Sequence, residues 1–171
     1  MGRYKAPLPV KLIVGFLAAE KDVLESARRV LSERFGAETE AMDPIPFIWT
    51  RYYADELGEF PWRAFASYET LIPRETIVDI KHYTNELESR FSRNGLRRVN
   101  LDPGYMTLGQ FFLATTKDQR QRVYVREGIY VEPTLYFQDG VFRPFDWTYR
   151  DYRSEEYLAY FNKARAGLAR R

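Results

Sequence analysis

The chain has 171 residues, with 26 lysines and arginines against 24 aspartates and glutamates, for a net charge of +2. That length fits one domain with a core of its own, and the charge balance does not by itself point to nucleic acid. There is no cysteine and a single histidine, His82, which excludes disulfides, thiolate nucleophiles, cysteine-ligated zinc or iron–sulfur sites and a multi-histidine metal site within one chain.

The first element is "KLIVGFLA" (11–18), a short apolar run rich in β-formers that reads as a buried strand. The surrounding "LPVKLIVGFLAA" is too short and strand-like for a signal peptide, and no run approaches the ~20 apolar residues of a membrane span, so a cytoplasmic location is expected. A helix over 20–35 follows, with Val23, Leu24, Ala27, Val30, Leu31 and Phe35 at helical spacing and Gly36 as its stop. Strands are expected at 46–54, flanked by proline, and within 62–72. The segment 73–91 is the best helix, with Pro73 near its start. A strand at 96–102 then runs into "DPG" at 102–104, which reads as a tight turn with Asp102 at the strand end. Strands at 109–116, 122–126, 129–137 and 141–145 form a meander, and a helix at 154–170 carries Tyr157, Tyr160 and Phe161 on one side.

The order strand–helix–strand–strand–helix–strand predicts an α+β fold with a ferredoxin-like βαββαβ core. The whole chain, 1–171, is expected to be a single domain. Residues 1–104 form the ferredoxin-like part, and 105–171 add a C-terminal antiparallel β-meander and a terminal helix. Whether the meander extends the first sheet or forms its own layer is left open by the pattern.

Two hairpins fix registers. A three-residue loop "REG" (126–128) pairs Val125 with Ile129, Tyr124 with Tyr130, Val123 with Val131 and Arg122 with Glu132. It sorts the valines and Ile129 onto one face, and the tyrosines with the Arg–Glu pair onto the other. Val131, Pro133, Leu135 and Phe137 then face the core, and Tyr130, Glu132, Thr134 and Tyr136 face away. "DG" at 139–140 pairs Phe137 with Phe142 and Tyr136 with Arg143. On the helix 73–91, Ile77, Ile80, Thr84, Leu87 and Phe91 share a stripe, and Lys81, Asn85 and Glu88 form the polar stripe bordering it.

At "NLDPGY", "LATTK", "GIYVEPTLYF" and "WTYRDY" the sequence resembles the uncharacterised prokaryotic proteins grouped as domain of unknown function 4416. "KLIVGFL", "TRYYADELG" (50–58) and "IKHYTNELE" (80–88) extend the resemblance over nearly the whole chain. It implies a single bacterial or archaeal domain, supplies no catalytic residue, and departs at Arg150, where the family pattern carries proline.

The motif-like segments gather one chemical set: Arg51, with Thr50 and Tyr53; Lys81, Asn85 and Glu88; Asp102, with Tyr105; Lys117, with Thr116; Arg122, Tyr130 and Glu132; Trp147, Tyr149 and Asp151. Cations with aromatics suit a small polar ligand, phosphate-bearing or nucleotide-like. No Walker loop or dinucleotide glycine motif accompanies them. Asp102, Glu132 and Asp151 with Lys117 also suit a carboxylate- or Mg²⁺-dependent enzyme, and a ferredoxin-like sheet suits RNA binding or a structural interaction role. One His-x-Thr, "HYT" at 82–84, cannot make the paired motif of a phosphoesterase. The residues name no cofactor and no resident metal site, no membrane or disulfide-linked partner is expected, and the oligomeric state is open. Lys117, at the end of the neighbouring strand, is the expected partner of Asp102.

Overall fold

The structure is a computed structural model that describes residues 2–171. Its strands are β1 (Val10–Ala18), β2 (Glu38–Pro46), β3 (Trp62–Ile72), β4 (Val99–Met106), β5 (Gln110–Thr115), β6 (Val123–Arg126), β7 (Ile129–Gln138) and β8 (Val141–Pro144). The helices are α1 (Lys21–Phe35), the short α2 (Ala54–Leu57), α3 (Ile77–Phe91) and α4 (Glu155–Ala169). The strands form one antiparallel sheet in the order β2-β3-β1-β4-β5-β7-β6, with β8 also on β7. The second half therefore extends the first sheet instead of forming its own layer. No helix among the described residues is long and apolar enough to cross a membrane.

β1 is buried along its whole length, which is why its sequence is a continuous apolar run and not an alternation. Val10, Leu12, Val14, Phe16 and Ala18 face the core beneath α1 and α3. Ile13 faces the core beneath α4, where Tyr157, Tyr160 and Phe161 gather around Phe65 at centroid distances of 4.9, 5.4 and 5.3 Å. Lys11 interrupts the run and is fully buried under α4, paired with Glu40, which also accepts a hydrogen bond from Ser67 Oγ at 2.6 Å.

Four expectations need correction. The strand placed at 46–54 ends at Pro46 and instead begins at Glu38. Pro44 and Pro46 supply no amide donors to continue a ladder, and Tyr52 N–H donates to Thr50 Oγ1 (3.1 Å), turning the chain toward α2. "DPG" is no turn: β4 continues through it to Met106. By the two-residue period, the missing N–H of Pro103 falls on the same strand edge as Leu101, an edge that β5 does not cover there. In the "meander", β5 pairs with β7 and not β6, which lies on the outer edge of β7. The stretch of that edge between β6 and β8 is covered by Trp147 Nε1, donating to Pro133 O (2.8 Å), and Thr148 Oγ1, donating to Thr134 O (2.6 Å).

The fourth correction concerns register. Val123 pairs with Val131 and Tyr124 with Tyr130, as the faces predict, but Ile129 pairs with Arg126 and Val125 is bulged. The turn is a two-residue one, with Glu127 and Gly128 both at positive φ (52° and 75°). A second irregularity at Thr134, opposite Phe111 and Phe112 of β5, switches the faces of β7. Ile129 then joins the core under α1 and α3, Leu135 joins the core under α4, and Glu132 is buried instead of facing solvent. The "DG" hairpin has the expected pairs Phe137–Phe142 and Tyr136–Arg143.

β4 and β5 pair only from Gly104 to Met106 against Phe111–Leu113. A Cβ on Gly104 would collide with the Phe112 carbonyl oxygen and lie 2.7 Å from Phe111 Cζ. Gly104→Ala is expected to destabilise the protein by about 2–3 kcal/mol, measured as a lower urea midpoint at unchanged slope; an unaltered midpoint would show that the two strands can part further at no cost.

Candidate functional site

Upstream of Gly104 the two strands separate, and the freed backbone of β4 is taken up by α3. Leu101 N–H donates to Glu88 Oε1 (2.7 Å), and Leu101 O accepts from Lys81 Nζ (3.0 Å). Lys81 and Glu88 are buried, so the polar border stripe of α3 closes the split from one side. A cavity of about 580 Å³ borders the same split, lined by the parted ends of β4 and β5, the segment 47–53 and the segment 149–152 that precedes α4.

The floor is built around Arg63 of β3, which is 3% exposed. Its Nη2 donates to Asp151 Oδ2 (3.3 Å), and its Nη1 lies 3.6 Å from Asp102 Oδ2. The guanidinium carbon stands 5.2 and 5.5 Å from the ring centroids of Phe47 and Phe65. Arg63 reaches Asp102 across β1 because Gly15 sits between them, paired with Asp102 on one side and Phe65 on the other. A Cβ at Gly15 would stand 3.2 Å from Arg63 Nη1. Neither Nε nor Nη1 of Arg63 makes a hydrogen bond.

Polar contacts continue from Asp102 into the split. Asn100 Nδ2 donates to Asp102 Oδ2 (2.9 Å), and Arg97 Nη1 donates to Asn100 Oδ1 and Glu88 Oε2, both at 3.1 Å. Arg97 also binds Glu56 through Nε and Nη2 (2.9 and 2.6 Å). Burial pushes the Glu88 carboxyl above its ordinary value, against the opposing pull of Lys81, Leu101 N–H and Arg97. Burial likewise raises Asp151, with Arg63 opposing and the charge of Asp102 adding to the rise. Burial, then Asp102, raises the Tyr53 phenol well above its usual range, so it stays a proton donor.

On the β7 side of the floor, Arg122 Nε donates to Glu132 Oε2 (2.7 Å), with both side chains 2% exposed. The same guanidinium donates to Tyr149 OH and Lys117 O, each at 2.9 Å. The rim is exposed: Trp49, Tyr52, Lys117, Tyr149 and Arg150. Lys117 Nζ lies 3.4 Å from Tyr52 OH and 5.0 Å from its ring centroid. Among the described residues no carboxylate pairs with Lys117 or Arg150. Nor, among them, do three His, Cys, Asp or Glu side chains stand together as a metal site.

Of the residues expected from sequence, Lys81, Asn85, Glu88 and Asp102 line the cavity, as do Lys117, Arg122, Glu132, Tyr149 and Asp151. Three do not. Arg51 points to Glu59 (3.4 Å), Tyr130 packs on Tyr124 (5.3 Å), and Trp147 stacks on Phe145 (4.8 Å). The expected Asp102–Lys117 pair is replaced by Asp102–Arg63, because Lys117 lies beyond β5 where the strands have parted. Asp102 itself is mid-strand. Arg63, Arg97 and Asn100 line the cavity as well, beyond the set expected from sequence. Arg63 had a signal, a charge at an inward position of the alternating strand "WRAFASY".

A family model described as a domain of unknown function matches residues 8–167, a span that contains every cavity-lining residue. The chain belongs to the DUF4416 family. No curated protein and no solved structure matches it. In this DUF4416 protein Arg150 has φ −59°, a value that proline also adopts, so the proline expected from the resemblance would fit the same turn, where arginine instead supplies a rim cation.

The raised Asp151 carboxyl has a definite consequence for stability. The native state holds that proton to higher pH than the unfolded chain, whose aspartates titrate near ~3.9. Stability therefore falls as pH rises from that value through the native one. Asp151→Asn removes this dependence, so the variant is expected to gain stability relative to the parent between about pH 4 and about pH 7. Urea denaturation at both ends of the interval measures it; a difference that does not change with pH would show that Asp151 titrates alike in both states.

Proposed function

We propose that this DUF4416 protein binds a small phosphate-bearing, nucleotide-like ligand in the cavity. The observation that carries this reading is the placement of charge. Six cationic side chains line the cavity, Arg63, Lys81, Arg97, Lys117, Arg122 and Arg150, against the four carboxylates of Glu88, Asp102, Glu132 and Asp151. The whole chain has a surplus of only two cations, so an equal surplus is gathered in one concave site, where it attracts anions. Lys117 and Arg150, the uncommitted ones, stand on the rim among Trp49, Tyr52 and Tyr149, whose faces can stack on a base. The volume falls within the roughly 300–1,000 Å³ of small-molecule sites.

We further read residues 1–171 as one domain whose first part is a ferredoxin-like unit, supported by the order β2-β3-β1-β4 and by a core shared by α1 and α3. A carboxylate-dependent enzyme is the second reading, favoured by Asp151 and Glu88, which keep their protons longer than ordinary acids. The RNA-binding reading has less support: α4 covers the face on which sheet aromatics would be displayed, and Phe65 and Phe111 are packed into its core.

A thermal-shift series with AMP, ATP, GTP and inorganic phosphate tests the ligand class. A ligand at one hundred times its dissociation constant adds ~2.7 kcal/mol of stability. The double variant Lys117→Ala/Arg150→Ala is expected to keep the parental melting temperature while losing at least about tenfold in affinity, with the difference shrinking in high salt. The proposal is abandoned if none of the four raises the melting temperature at millimolar concentration.

A further inference from the structure

We infer that Glu132 is a specificity residue that reads a ribose hydroxyl, so that the ligand is a ribose phosphate lying with its sugar on the floor and its phosphate at the rim. This rests on the phosphate-binding reading above.

The starting point is an orphaned atom. Glu132 lines the cavity, and its side chain is 2% exposed. Oε2 is fixed by Arg122 Nε (2.7 Å) and Gln121 Nε2 (3.1 Å), whereas Oε1 is buried and accepts no hydrogen bond. Buried polar atoms are ordinarily satisfied, so a carboxylate oxygen held rigidly without a donor calls for a partner. Arg63, on the same floor, has the opposite lack: Nε has no acceptor, and Nη1 has only the Asp102 carboxylate, at 3.6 Å.

These unpaired atoms select among ligand chemistries. A bare phosphate or carboxylate offers only acceptors, so it suits Arg63 and is repelled by Glu132. An ammonium group suits Glu132 and is disfavoured by the surplus of cations. A hydroxyl both donates and accepts, so it suits the Glu132 oxygen without the repulsion that a phosphate meets there. Carboxylate recognition of ribose hydroxyls is a general solution in nucleotide sites.

Arg122 sets the orientation. One edge of its guanidinium holds Glu132, while its other nitrogens hold Tyr149 OH and Lys117 O at the rim. Floor and rim are thus separated by one guanidinium and two hydrogen bonds, a span that a ribose 5-phosphate skeleton bridges. Its hydroxyls lie at Glu132 and its phosphate lies toward the Lys117 ammonium. A base on the sugar meets the aromatic rim.

The test compares AMP, 2′,3′-dideoxy-AMP, ribose 5-phosphate and inorganic phosphate on the intact protein by titration calorimetry. AMP is expected to bind about tenfold to a hundredfold more tightly than the dideoxy compound, with inorganic phosphate weaker than AMP. Ribose 5-phosphate binding as tightly as AMP supports the assignment with a sugar phosphate as the source; weaker binding that still exceeds inorganic phosphate supports it with a nucleotide. Glu132→Gln, which replaces a charged acceptor by a neutral amide, should narrow the difference between AMP and the dideoxy compound by at least about threefold, and inorganic phosphate should bind at least as tightly as to the parent. If that variant does not fold, the comparison on the parent protein still decides. AMP and its dideoxy analogue binding equally, or ribose 5-phosphate binding no better than inorganic phosphate, overturns the role of Glu132 and leaves phosphate binding standing. Failure of all four to bind overturns both.

Discussion

The architecture depends on two hydrogen bonds to the backbone of Leu101. A sheet that parts in its middle leaves strand N–H and C=O groups without partners, and buried backbone groups must be satisfied. Here Glu88 accepts from Leu101 N–H and Lys81 donates to Leu101 O, both from the same face of α3, two turns apart. Hydrogen bonds of this kind, to charged groups, contribute ~1.5–3 kcal/mol each. The helix thus stands in for the missing strand, and β4 and β5 can remain apart. The room between them is the cavity.

The same parting explains why the floor is polar. Once β5 leaves β4, the inward side chains of β4, Asn100 and Asp102, face space and not a neighbouring strand. They are satisfied laterally instead, by Arg97 on one side and by Arg63, reaching over Gly15, on the other. Breaking a buried pair of this sort is costly because the remaining charge is stranded. The network therefore holds the walls in place as well as offering charge to a ligand. Gly104 marks the last point of contact before the split, and its lack of a side chain allows Phe111 and Phe112 to come that close.

β7 supplies the opposite wall through a change of face. Ile129 and Val131 face the core under α1 and α3, so alternation turns Glu132 to the other face of the sheet, and the irregularity at Thr134 then brings Leu135 to that same face. The extra residue lets Ile129 and Leu135 enter different cores. Glu132, just before it, is turned into the cavity beside Arg122. Two register irregularities on neighbouring strands, at Val125 of β6 and Thr134 of β7, thus separate a plain edge hairpin from a wall that carries charge.

The alternation of strands with two long helices in the first half, the "DG" hairpin and most of the polar set can be read from the sequence, because these depend on local periodicity, turn chemistry and residue type; the short α2 and the bounds of β2 cannot. The polar stripe of α3 was legible for the same reason: Lys81, Asn85 and Glu88 repeat at helical spacing. Which of those groups meet depends on the folded chain as a whole. "DPG" has the composition of a turn, yet pairing with β1 keeps it extended. Lys117 follows the strand beside Asp102 in sequence logic, yet Arg63, 39 positions earlier in the chain, takes that role because two neighbouring strands and a glycine bring it there. Arg51, Tyr130 and Trp147 share the chemistry of the site but lie on the wrong side of their segments. Contacts across a sheet are set by strand order, register and bulges, and these arise from packing of the whole chain, which no local window contains.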